Sequence, residues 1–236
     1  MGNYRPPEWS AIMSEDFEGP SVFEGWNVYD GNGSTNAEYY WDKDDFKPHA
    51  GSFSAWPAAG GTDALDPEYS NYPNNCTTWA IYGPFDLSDA EAAELNFFYW
   101  NQTESQTDCL YDYLFYGASL DGSIFYGTRV CRNSGGWQYE SFDLSDVLSL
   151  GDLTGESQVW ITLRFKSDSS VTYQGVFVDD IVLRKAVAPL DASSGVTQEI
   201  GWPAPPTTLH VDAEASASIG TEQGGPRQGP ELLATP

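Results

Sequence analysis

One pattern limits this chain more than any other. From Ser10 to Arg184, short runs that alternate apolar with polar residues recur, and Gly, Pro, Asn or Asp closes most of them. Successive side chains of an extended strand point to opposite faces, so this alternation reads as half-buried strand and the punctuating residues as turns. The runs lie at residues 10–18, 26–30, 37–41, 52–56, 77–83, 94–101, 110–118, 123–129, 137–142, 158–166 and 174–184. So many short strands, with turns about every ten residues, predict an all-β, antiparallel sandwich of two sheets. Asp121-Gly122, between two aromatic runs, is the strongest hairpin signal. Helical periodicity is nearly missing. Only "LSDAEAAEL" (87–95) suggests a helical turn, and it runs straight into strand-like sequence.

The run "GVFVDDIVLR" (175–184) sets two aspartates side by side among apolar residues. Uniform alternation puts Asp179 on the core side with Phe177, Ile181 and Leu183, and Asp180 outside with Val176, Val178 and Val182. A core-facing carboxylate is costly unless a cation or hydrogen-bond donors meet it. Three kinds of partner would serve: a metal ion, Arg164 or Arg184, or backbone amides that the carboxylate caps.

Charge narrows the function. The chain carries 35 acidic and 10 basic residues, a net charge of −25. Phosphate recognition relies on clustered Lys and Arg, so nucleic acid is a poor partner, and an anionic membrane surface is disfavoured. No apolar run is long enough to span a bilayer, so no membrane insertion is expected, and the first residues hold no secretory apolar segment. The acidity suits a salty or extracellular milieu, and also Ca²⁺, a hard cation that takes oxygen ligands. Cys109 and Cys131 flank the hairpin at nearly equal distances from Asp121-Gly122, which places them for a disulfide; three reduced thiols, with Cys76, is the alternative. Residues 1–185 hold every strand and read as one domain. Residues 186–236, rich in Ala, Pro, Gly, Ser and Thr, read as an extended tail or linker, in which Ile200 and Trp202 are suited to dock on a neighbouring surface.

An ordered series of motifs carries a resemblance: "DFEGP…GWNVYDGNG", "HAGSFSAWPA", "NYPNNCTTWAIYGPFDLSDAEAAELNFFYWN", "YDYLFYGASLDG", "GGWQYESFDLSDV" and "VWITLRFKSDSSVTYQGVFVDDIVLR". Over residues 14–185 the chain resembles the MAM-like jelly-roll domains of secreted prokaryotic proteins. These include choice-of-anchor domains and the domains appended to immune-inhibitor-A-type metallopeptidases. The resemblance implies an antiparallel two-sheet jelly roll with no activity of its own. It also implies one structural Ca²⁺, held by Glu18, the turn His49–Ser52 and Asp179. Asp16 lies two residues from Glu18, on the same side of the expected first strand, and joins this set.

Catalytic signatures are thin. There is no HExxH and no GxSxG, and the cysteines lack a histidine partner, so no enzymatic activity is expected. Binding is better supported. Tyr39 and Trp41 in "YYWDKDDF", Trp100 in "FYWNQTE" and Trp137 in "GGWQYES" are candidates for rings that stack on sugars, with core or edge packing as the alternative for each. The long acidic loop 59–75 offers Asp63, Asp66 and Glu68 as a second Ca²⁺ set, while Asp168 in "SDSS" suits a hydrogen-bonded turn. The resulting expectation is a Ca²⁺-stabilised module for adhesion or glycan binding, outside the cell or at its surface. The alternatives are a subunit of a filament or surface layer, self-assembling through its tail or edge strands, and an accessory fragment of a secreted metallopeptidase.

Overall fold

In a computed structural model, which describes residues 6–33, 37–104 and 108–189, all eleven expected strands are present. They are β1 (Glu8–Glu15), β2 (Asn27–Asp30), β3 (Tyr40–Asp44), β4 (Ser54–Gly60), β5 (Thr77–Phe85) and β6 (Ala90–Gln102). β7 (Tyr113–Ser119), β8 (Tyr126–Val130), β9 (Gln138–Asp143), β10 (Val159–Lys166) and β11 (Gly175–Val187) follow. The first sheet runs β3-β4-β11-β6-β9, with β1 beside the second half of β11; the second runs β2-β5-β10-β7-β8. Every strand pair is antiparallel. The domain is an all-β jelly-roll sandwich. No helix among the described residues is long and apolar enough to cross a membrane. The tail beyond residue 189, with Ile200 and Trp202, lies outside the described residues.

The core forms where the inner faces meet. Leu95 and Phe97 of β6 and Val178, Ile181 and Leu183 of β11 are fully or almost fully buried, as are Ile161, Leu163 and Phe165 of β10 opposite. Phe97 meets Tyr116 of β7 edge-on, ring centroids 5.1 Å apart, so these two rings tie the sheets together. The helical turn expected at 87–95 is instead the start of β6. Ala92 and Ala93 pair with Ala186 and Lys185, and those long-range bonds outweigh a local helix preference that a segment this short cannot sustain alone.

The hairpin β7–β8 forms around Asp121-Gly122, with a longer connection than two residues. Asp121 Oδ1 accepts from the amides of Ser123 and Ile124 and from the Ser119 hydroxyl, and this holds its carboxyl down at about 2. At the open end of the hairpin Cys109 and Cys131 are joined by a disulfide, Cα atoms 5.5 Å apart. Cys76 remains a buried thiol.

Candidate functional site

The two aspartates of β11 sit at a bulge, and the bulge changes which way they face. Phe177, Val178 and Asp179 pair with Trp100, Tyr99 and Phe98; the register then shifts, and Val182 and Leu183 pair with Asn96 and Leu95. Directly opposed residues share a face. Phe177 and Asp179 therefore lie on the outer face with Trp100 and Phe98, whereas Leu183 turns inward with Leu95. Uniform alternation from Phe177 to Leu183 does not hold. Asp180, in the left-handed region at φ 51°, is the extra residue that switches the parity. It is no inert outward residue either, since its Oδ2 lies 2.7 Å from Nδ1 of His49.

Asp179 is nonetheless wholly buried, because the β3–β4 turn folds over it. The amides of His49 (2.9 Å) and Ala50 (3.2 Å) donate to its Oδ2, and that of Asp180 (2.7 Å) donates to Oδ1. Burial pushes the carboxyl above its ordinary value; the three amides pull the other way. The same turn is pinned at its far side by Glu18, whose Oε1 accepts from the amides of Ser52 (2.7 Å) and Phe53 (2.8 Å). Gly51, at φ 64°, lies so close that a Cβ there would come within 2.4 Å of Glu18 Oε1. Glycine is required here by conformation and by space. Glu18 reaches the turn from a loop rather than a strand: β1 ends at Glu15, and Asp16 Oδ1 accepts the Glu18 amide. Asp16 thus serves this local turn and does not face the cradle beside Glu18 as a strand neighbour would. Arg184 pairs with Glu94, and Arg164 belongs to the other sheet, so neither meets Asp179.

The sequence-expected residues Glu18, His49, Ser52 and Asp179 do meet, but through N–H donors where a calcium cage needs oxygen. The donor chemistry fits a cation only in part. His49, Asp179 and Asp180 offer ligand atoms within 4.8 Å of one another, yet the turn directs amide hydrogens, not carbonyls, at Glu18 and Asp179. A second acidic group, unforeseen from sequence, joins Glu104, Asp112 and Asp168. Asp112 is almost fully buried, its carboxyl raised chiefly by that burial, and it accepts from the Tyr72 hydroxyl (2.5 Å) and the Asp168 amide (2.8 Å). Its signal was an acid directly before the alternating run of β7. Asp168 also accepts the Ser170 amide, the turn role expected of it. Asp63 and Asp66 accept the amides of Glu38 and Glu68 and, with Glu68, belong to neither group.

Rings frame the cradle. His49 stacks on Phe98 (3.7 Å) and meets Trp137 edge-on (5.4 Å), and Phe98 contacts Tyr139, its direct partner across β6–β9. Lys47 lies 3.9 Å over Trp100, which packs edge-on against Phe177. Trp100 and Trp137 thus share one outer face, joined by Phe98 and Tyr139, which the sequence reading passed over. Tyr39 and Trp41 stand apart. Trp41 is 1% exposed and part of the core, so it offers no ring to a ligand. Tyr39, partly buried against the core as Trp100 and Trp137 also are, precedes β3 and pairs through its amide with Asp30 rather than joining their row.

No family model matches the chain, and no curated protein matches it. Among solved structures it is similar to a cleaved adhesin domain of Lys-gingipain from Porphyromonas gingivalis (TM-score 0.46, 15% identity, 72% of this chain and 96% of that one). It is also similar to the family 11 carbohydrate-binding module of a Clostridium thermocellum cellulosomal cellulase (TM-score 0.45, 14% identity, 78% and 97%). A xylan-binding domain from Paenibacillus barcinonensis is a third (TM-score 0.44, 11% identity, 79% and 99%).

Proposed function

We propose that the domain is a non-catalytic recognition module that binds a glycan on the outer face of the first sheet, through Trp100, Trp137, Phe98 and Tyr139. One observation carries this reading: Tyr139 keeps 55% of its surface exposed at the end of the row Trp137–His49–Phe98–Tyr139. Tyr139 is exposed and Phe98, Trp100 and Trp137 are partly exposed, so the strip offers pre-ordered ring surface. The Asp180 carboxylate, held by His49, and the Lys47 ammonium, over Trp100, supply polar groups for hydroxyls. The disulfide supports a role in an oxidising, extracellular setting. Affinity electrophoresis in gels containing neutral β-glucans tests the proposal. Tyr139→Ala should abolish retardation while leaving the melting temperature in place. Trp137→Ala should abolish it too, at some cost in melting temperature because this ring also packs against the core, with circular dichroism showing that the variant folds. Retardation that survives both substitutions, or is absent from the unmodified protein across such a panel, sinks it.

Calcium stands as a separate proposal. A cation would sit between the Asp179 and Asp180 carboxylates, whose ligand atoms lie within 4.8 Å of each other and of His49, on the lone pairs that the amide hydrogens leave free. Calorimetry with and without chelator decides this: a melting temperature that falls with chelator and returns with Ca²⁺ supports the ion, and an unmoved curve leaves the amides as the whole of the latch.

A further inference from the structure

The outer face of the second sheet has the opposite electrical character. One register row crosses all five strands: Tyr29 pairs with Trp79, Trp79 with Arg164, Arg164 with Phe115, and Phe115 with Arg129. The Tyr29 and Trp79 rings are nearly parallel, 11° apart, and the Arg164 guanidinium lies 4.8 Å over Trp79. The adjacent rows on this face add Lys166, paired with Thr77 and Tyr113, and no Asp or Glu. Three of the chain's 10 basic residues thus share a sheet face free of acidic strand residues, although the chain holds 35 acids. Chance placement would put acids there first. Neither Arg129 nor Lys166 is within ion-pair distance of an acidic group among the described residues; Arg129 lies over the Tyr113 ring, 4.6 Å from its centroid.

We infer that this face binds an anionic glycan, a polysaccharide whose sugars carry carboxylate or sulfate groups. Tyr29 and Trp79, both partly exposed, supply flat ring surface, and Arg129 and Lys166 supply accessible charge. Arg164, buried at 3% exposure, is a fixed charge beneath the row rather than a direct contact. Arg164 and Phe115 are buried in the middle of the row, so a sugar chain would meet it at its two ends, Tyr29–Trp79 and Arg129, whose outermost strands lie four spacings, about 19 Å, apart. The net charge of −25 selects among polyanions. Double-stranded DNA, with a charge about every 1.7 Å, meets strong repulsion from the rest of the molecule, whereas a uronate polymer with one carboxylate per sugar meets less. This surface is separate from the ring strip on the first sheet, and its test is independent of that reading.

Native electrophoresis of the full chain is run in gels containing polygalacturonate, heparin, hydroxyethylcellulose or no polymer, with single-stranded DNA tested by mobility shift. Retardation by polygalacturonate, by heparin or by both is expected, weakening as salt rises because the contact is charge-driven. Which polymer acts identifies carboxylate or sulfate as the recognised group. The double variant Arg129→Gln/Lys166→Gln should weaken this binding by about tenfold or more, while Trp137→Ala leaves it unchanged. Salt dependence of the unmodified protein gives a readout that needs no variant to fold. The inference is overturned by no retardation in either anionic gel, by retardation insensitive to salt and to the double variant, or by DNA binding at least as tight as either glycan.

Discussion

The two outer faces of this sandwich are covered in different ways. On the first sheet a loop is drawn down by charge: Asp179 and Glu18 collect the amides of the β3–β4 turn, and the turn brings Phe46 against Phe177 and His49 against Phe98. On the second, Ile81, Tyr113 and Phe115 of the strands themselves cluster with Phe125 of the β7–β8 connection and the rings of Trp79 and Trp160, and the Cys109–Cys131 disulfide packs against that cluster. One cover is a polar latch and the other is apolar with a covalent clip. A latch made of hydrogen bonds to a buried carboxylate is lost at once when that acceptor is removed. A clip acts mainly by restricting the unfolded chain.

Asp179→Ala should therefore have the largest effect. It takes the acceptor from three part-buried amide donors, leaves a void where the buried carboxylate was and opens the turn, for about 3 kcal/mol lost in chemical denaturation. If the comparison holds, tryptophan fluorescence from the Trp100–Trp137 side changes while the disulfide cluster stays ordered. A loss below about 1 kcal/mol would show that water replaces the carboxylate and that the latch is not structural. Next comes the clip. Cys109→Ala/Cys131→Ala releases a loop with a sequence separation of 22. For a loop of that size the chain-entropy estimate is about 3 kcal/mol, and it should appear in unfolding without changing the environment of His49 or Phe98.

Gly51→Ala sharpens the picture of the latch. A Cβ in the left-handed region costs about 1–2 kcal/mol by itself, and here it also meets Glu18. In a double-mutant cycle with Glu18→Ala, the part due to contact should vanish and the backbone part should remain. Additive effects would mean that Glu18 moves aside freely and that the turn is held by Asp179 alone.

How much of this could be read from residues alone follows from what kind of information each feature needs. The strands were legible because alternation is local, and the disulfide because Cys109 and Cys131 flank one hairpin. The orientation of Asp179 was not. It depends on a register shift against β6, and Asp180 gives little warning, since aspartate enters the left-handed region at modest cost. The partners of Asp179 and Glu18 were hidden for a second reason: they are backbone amides, which every residue but proline carries, so no side chain marks them. "HAGS" marked the place but not whether its N–H or C=O groups point inward. The basic row of the second sheet needs β10 between β5 and β7, a non-local pairing that joins residues from five separate runs. Trp41 shows the limit from the other side. Its polar neighbours suggested exposure, yet the ring fills the core and its indole N–H finds the Thr78 carbonyl at 3.4 Å.

The smallest predicted effect separates the two covers by pH. Burial holds the Asp179 carboxyl above its ordinary 3.8, so the native protein takes up a proton more readily than the unfolded chain does. Stability then falls as pH rises from 3.8 toward the raised value, and below 3.8 the contribution is constant. On the second sheet's side Asp121 has the opposite sign: held at about 2 by its turn amides, it contributes stability that is lost as pH falls below the ordinary carboxylate range. Its exposure to solvent keeps that contribution small. Asp179→Asn should flatten the slope above pH 3.8, leaving a residual from Asp112 and Asp44, which burial also raises. It should leave in place the acid limb to which Asp121 contributes along with Glu94, Glu38, Asp86 and Asp152, also held low. If urea midpoints measured across this range keep the same slope in the variant, the carboxylate is ionised in the fold without penalty. The amides of His49, Ala50 and Asp180 would then offset its burial in full, and the latch would be as insensitive to pH as the disulfide clip.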